Sequence, residues 1–449
     1  MNNQREACRS VSGRNGDRRS GTKTGCAAWS VAFALAAALQ IPAAAQPAHS
    51  KLQIIHSFRG QPNDGLKPSS LAMGEGGVLY GSTSSGGSAN AGSVFAMTPP
   101  AAAGGAWTET TIYSFPVLPG GFASFPAVVA GKDGTLFGFT QTGGTFNCGT
   151  VFALIPPASE GDEWTLTVLY NFTGQEDGAY PSGLLVSSNA LYGVTTSGGS
   201  GANGLVFSVT PPATPGGAWI ETTLYSFTGG SDGGYPGTLI GGESGILYGA
   251  TADGGNANNG VVFSLTPPQS AGGAWTETVL YAFNGGSDGE NPVGLAVGSG
   301  GVLYGSTEYG GIEVAPECFS GCGTVYSLTP PASSGGGWSE EVLYRFNGAS
   351  DGYAVYTGVA IGSGGVLYGT TAYEGGGSGG IPGGILFSLT PPASAGGAWS
   401  ESVLHTFQIH GINGAAPDSL ILNTTQGVLY GTTVDGGLMG GGTVFQMKL

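Results

Sequence analysis

The residues of this chain that could do chemistry fall into three groups. The first is a series of Asp-Gly steps at Asp64, Asp177, Asp232, Asp288 and Asp351, with Gly120-Gly121 and Asn413-Gly414 in the matching places of two further segments. A ring of carboxylates at one mouth of a symmetric fold would bind calcium or a cationic ligand. Asp and Asn also favour turns by bonding their own backbone, and an Asn replacement fits either account. No cofactor is expected beyond calcium, the one ion these aspartates would take.

The second group comprises Glu308, Tyr309, Tyr373 and Glu374, which flank two lengthened loops, 310–323 and 375–384, with Glu313 and Glu317 inside the first. Inserted loops carry binding more often than chemistry-free segments do, so these six residues are the binding candidates. Harmless surface elaboration is the alternative, since loops tolerate insertion. The third group is sulfur and imidazole. Cys318 and Cys322 are close enough to staple the inserted loop and fit an oxidising location; Cys148, at the matching position three repeats earlier, is read as a thiol. The histidines His49, His56, His405 and His410 show no ligand spacing, so no zinc site is expected. No catalytic residue is assigned. A nucleophile elbow needs a strand-to-helix turn, and the chain has no helical periodicity. The paired carboxylates of a glycoside hydrolase stay open, because that pairing is spatial.

What must position these residues is a repeat. The string Leu-Tyr-Gly, once Leu-Phe-Gly, recurs with its glycine at 81, 138, 193, 249, 305, 369 and 431, at intervals of 57, 55, 56, 56, 64 and 62 residues. One unit, 236–283, reads as four strands: one starting at Thr238-Leu239-Ile240, then Ile246 to Thr251, Val261 to Thr266 closed by Pro267-Pro268, and Trp275 to Phe283. In the last of these Trp275, Glu277, Val279, Tyr281 and Phe283 are expected on one face. Four strands in about 56 residues make a blade, and seven blades make an all-β, seven-bladed β-propeller. The first segment, Leu52 to Phe58, matches a fourth strand, and the chain finishes on a third strand, so the N-terminal strand is expected to complete the last blade. A β-helix with one coil per repeat is disfavoured by the repeat length. Trp107, Trp164, Trp219, Trp275, Trp338 and Trp399 share one repeat position and are expected to pack between blades. The glycine after Leu-Tyr is expected to admit a neighbouring blade's large side chain.

Residues 1–45 read as a signal peptide: six basic residues, an apolar run from Cys26 to Leu39, and Ala43-Ala44-Ala45. The single propeller domain is then 46–449. Removing the signal takes 6 of 12 Lys and Arg and 2 of 28 Asp and Glu, leaving 6 against 26 and a net charge of −20. Such a surface repels polyanions, so nucleic acid is not an expected partner; no membrane span is expected in the mature chain. A single copy, secreted or periplasmic, is expected.

The string Leu-Tyr-Gly-x-Thr, then Gly-Gly, then Gly-x-Val-Phe-x-Leu-Thr-Pro, seen at Leu303 to Thr307, Gly310-Gly311 and Gly323 to Pro330 with Tyr326 for Phe, resembles the GloVer tandem repeat. The resemblance covers roughly 52–449 and implies an exported bacterial propeller-like protein. It implies no activity, and this chain departs from many members in lacking a recognisable C-terminal anchor. The leading expectation is a non-enzymatic propeller binding an extracellular glycan, envelope component or protein. A carbohydrate-active propeller enzyme, hydrolase or lyase, and a structural surface protein are the alternatives.

Overall fold

A computed structural model describes residues 52–449, apart from the segments 61–63, 103, 117–126, 160, 188–189, 215, 271, 312–317, 319, 334, 374–382, 395 and 409–410. The 1–45 segment therefore lies outside the described residues. The chain forms seven four-stranded antiparallel sheets arranged as a seven-bladed β-propeller. Six blades run consecutively through 65–114, 127–171, 179–226, 234–282, 290–345 and 359–406. The seventh takes Ala415–Asn423, Val428–Asp435 and Thr443–Lys448, and its fourth strand is Gln53–Ser57, paired antiparallel to Thr443–Lys448 with Gln53 opposite Gln446. The first strands of neighbouring blades touch one another around the centre.

The core lies between blades. Among the described residues seven hydrophobic clusters occur, one at each junction. The fourth blade shows how they form. Its strands Gly234–Gly241, Leu247–Asp253, Val261–Thr266 and Thr276–Ala282 agree with the sequence reading to within a few residues. The expectation that Trp275 to Phe283 alternates on one face is corrected by a bulge. Phe263 pairs with Val279, but Val262 pairs with Tyr281, leaving Leu280 as the extra residue. The slip reverses which face each later side chain takes. Trp275 therefore packs back on the third blade, while Tyr281 and Phe283 pack forward on the fifth. Forward packing sets each fourth-strand Phe against the next blade's third-strand aromatic, edge-on at six junctions, as in Phe227 on Phe263 and Phe58 on Phe95, both at 5.0 Å, and tilted for Phe407 on Phe445. The tryptophans do pack between blades: Trp107, Trp164, Trp219, Trp275 and Trp338 meet the Tyr or Phe of the preceding blade's second strand at 5.7–6.3 Å.

The glycine after Leu-Tyr has a different partner from the one expected. A Cβ on Gly249 would collide with Phe263, its cross-strand partner in the same blade, not with a neighbouring blade. Blades are instead latched by backbone. Lys67, Tyr180, Tyr235, Asn291, Ala354 and Ala416 all hold φ between 53° and 60°. This left-handed turn is costly for a side chain bearing a Cβ. It sends each N–H, over 2.8–3.0 Å, to a carbonyl of the preceding blade, including Lys67 to Gly441 across the ring seam.

Candidate functional site

The turn aspartates are held by local hydrogen bonds. Asp232 accepts from the Tyr225 hydroxyl at 3.0 Å, the Thr228 backbone N–H at 2.8 Å and the Thr228 hydroxyl. Asp177, Asp288 and Asp351 accept in the same way from Tyr170, Tyr281 and Tyr344 at 2.9–3.0 Å and from the backbone N–H of Thr173, Asn284 and Asn347. Asp64 accepts from the Arg59 and Gly65 N–H groups at 2.8 Å, with His56 where the others have tyrosine. Each carboxylate thus closes the turn between its fourth strand and the next blade.

Facing each of these turns is a glutamate that the sequence reading did not single out. The bulge points Glu109, Glu221, Glu277, Glu340 and Glu401 of the following blade back toward Asp64, Asp177, Asp232, Asp288 and Asp351, whose charges act on them. Burial first, and the aspartate charge with it, push Glu221, Glu277, Glu340 and Glu401 up to about 7. The repeats carry a signal for this pairing. Where the aspartate is replaced, by Gly120-Gly121 or Asn413, the glutamate position holds Leu166 or Leu52. Acid is kept at both places or at neither. At four of these junctions a proton on the glutamate, whose pKa is pushed up to about 7, removes one of the two like charges.

The binding candidates meet at the junction of the fifth and sixth blades. Glu308 and Tyr309 end the strand Leu303–Tyr309, and Tyr373 follows the corresponding Leu367–Thr371. Glu308 accepts from the Asn291 side-chain amide and is bonded by the hydroxyls of both Tyr309 and Tyr356. Burial, then the Glu308 carboxylate, raise both phenols, so they stay protonated donors. Tyr373 stacks on Tyr353 with ring centroids 4.8 Å apart at 19°. Glu290 is raised too, by burial and by the charges of Asp253 and Glu308. Tyr356 is 40% exposed, the open face of the cluster. The base of the inserted loop is tied to this wall: Cys318 and Cys322 form a disulfide, and Ala354 donates its N–H to the Cys322 carbonyl at 3.0 Å. Glu313, Glu317 and Glu374 lie outside the described residues. Cys148 is fully buried, its sulfur 3.5 Å from the Phe146 carbonyl oxygen.

Sequence reasoning missed Tyr356 and Asn291. The signal was there in repeat position: Tyr356 stands where other blades place Ser182, Gly237 and Val293, and Glu308 where they place Ser84, Thr196 and Ala252. The resulting group is an acceptor carboxylate ringed by phenol donors and a flat apolar ring face, the means by which proteins hold the hydroxyls and C–H faces of a polar ring.

No curated protein matches the chain by sequence. Among solved structures it is similar to the extracellular domain of what is described as a one-component system from B. thetaiotaomicron, with 12% identity and a TM-score of 0.50 over 89% of this chain and 42% of that one. It is similar also to the PQQ-bound aldose sugar dehydrogenase of Streptomyces coelicolor, at 12% identity and TM-score 0.45 over 90% and 99% of the two chains. A third is the phage phi92 endosialidase, at 12% identity and TM-score 0.44 over 89% and 69%. The chain spans less than half of the first of these, and such likeness shows the propeller fold alone. Residues 106–319 match the model of the Gloeobacter/Verrucomicrobia repeat, the repeat that the sequence resembles.

Proposed function

We propose that the protein is an exported, non-enzymatic propeller that binds an extracellular glycan at the Glu308 cluster. The observation that carries this reading is the break in sevenfold uniformity: at one junction small residues give way to Glu308, Tyr309, Tyr356 and Tyr373, with Tyr309 and Tyr356 bonded to Glu308, Tyr373 stacked on Tyr353, and Tyr356 open to solvent. The signal-like residues 1–45 support export. No helix among the described residues is long and apolar enough to cross a membrane, which says nothing of a β-barrel.

Calorimetric titration against a panel of oligosaccharides tests the reading. A binding sugar should lose about tenfold in affinity or more in Tyr356→Ala, the cost of one aromatic platform, and Glu308→Gln should weaken it comparably. Sugar binding that ignores both substitutions would place the site elsewhere. The enzymatic alternative is favoured by one observation, the second carboxyl group, Glu290, beside Glu308. It requires turnover of a polysaccharide that disappears in Glu308→Gln.

A further inference from the structure

The first of the five inter-blade acid pairs differs from its sisters. In the other four, a tyrosine hydroxyl donates to the aspartate at 2.9–3.0 Å. At the ring seam His56 replaces that tyrosine, and one ligand atom each of His56, Asp64 and Glu109 lies within 4.8 Å of the others. These residues come from three elements that follow one another along the chain and meet where the last blade abuts the first: the strand Gln53–Ser57 of the last blade, the connection after it, and the strand Thr108–Ser114 of the first blade. They hold the repeat positions that Tyr225, Asp232 and Glu277 hold at a sister junction.

We propose that His56, Asp64 and Glu109 form a divalent transition-metal site that clamps the seam of the propeller. Three observations converge on it. The first is chemical: exchanging a phenol for an imidazole replaces a hydrogen-bond donor with a nitrogen ligand, and one nitrogen with two carboxylates is a three-ligand set that leaves a fourth position open. The second is geometric. His56 Nε2 lies 3.5 Å from Asp64 Oδ1, long for a hydrogen bond. Two ligand atoms bonded at roughly 2.1 Å to one tetrahedral ion sit about 3.4 Å apart, so the spacing suits a shared ion. The third is orientation and access. The Arg59 and Gly65 N–H groups each bond one Asp64 oxygen at 2.8 Å and fix the carboxylate, as outer-shell donors do at metal sites. His56 also lines an open cleft with Leu52, Ile54, Arg59, Ile412 and Asn413, which gives ions a route in. The positive charge that the sister pairs take as a proton is, at the seam, a metal ion held between the first and last blades.

The test uses the purified, untagged protein and Zn²⁺ alone, followed by calorimetry and thermal melting with and without chelator. One zinc per chain should bind saturably and raise Tm. His56→Tyr restores the side chain of the sister copies and should fold normally; it should lose zinc affinity by at least about a hundredfold, more than outer-shell changes cost, and lose the zinc-dependent rise in Tm. Glu109→Gln is the second variant and should show the same loss, while Glu221→Gln, at a sister pair with tyrosine, should bind zinc as wild type. Absence of saturable zinc binding would overturn the proposal and leave His56 and Asp64 as an ion pair. Saturable binding that survives both His56→Tyr and Glu109→Gln would overturn it too, placing zinc elsewhere.

Discussion

Tyr326 occupies the third-strand position that the other six blades fill with phenylalanine, and its hydroxyl finds no hydrogen-bond partner among the described residues. The ring is fully buried against Phe283 at 5.1 Å. A buried, unsatisfied hydroxyl costs roughly 1–3 kcal/mol, so Tyr326→Phe should stabilise the protein by about 1 kcal/mol. Urea denaturation reads the change directly; an unchanged or lower midpoint would mean that the hydroxyl is satisfied, for instance by water. The same scale shows what one sequence can disclose. Tyr326 was legible as the exception in a repeated string, and Glu308, Tyr309 and Tyr373 stood out for the same reason. Asn291 and Tyr356 did not, because their importance lies in reaching Glu308 from other strands. The glutamates facing Asp177, Asp232, Asp288 and Asp351 looked like ordinary fourth-strand surface until the bulge aimed them backward.

Among elements, the strand Gln53–Ser57 carries the most weight, since it alone closes the ring. Its pairing was readable from the repeat because Leu52 to Phe58 has the aromatic and β-branched pattern of a fourth strand. The bulge within fourth strands was not, because a period-2 pattern assigns faces without seeing an extra residue. If the strand acts by pairing alone, its place in the chain should not matter. A permutant that begins at 59 and carries 52–58 after Leu449, joined by a copy of 267–275, should keep the wild-type melting temperature. Deleting 52–58 should instead expose Thr443–Lys448 as an open edge. It also strips Phe58, fully buried, from Phe95, a loss of about 3–5 kcal/mol from that ring alone. Cooperative melting of the truncated chain near the wild-type temperature would refute a closing role for the strand.

At the scale of the whole molecule, the inter-blade acids make the ring a pH-sensitive assembly. Glu221, Glu277, Glu340 and Glu401 are pushed up to about 7, first by burial and then by a neighbouring aspartate, and Asp418 to about 6 by burial. A folded-state pKa above the unfolded value means that the native protein binds more protons than the unfolded chain between about 4.5 and 7, so stability falls as pH rises through that window. The effect per glutamate is on the order of 1 kcal/mol once solvent screening of these half-buried groups is allowed for. One group opposes it: burial lowers the pKa of His405, which favours the fold at higher pH. Four glutamates and Asp418 outweigh a single imidazole, so Tm should climb on acidification from pH 8 to 5. Replacing all four glutamates by Gln copies the protonated form. That variant should melt higher than wild type at pH 8 and lose most of the slope. A wild-type melting temperature that is flat or rises with pH would show that the carboxyl pairs are compensated by something other than protons.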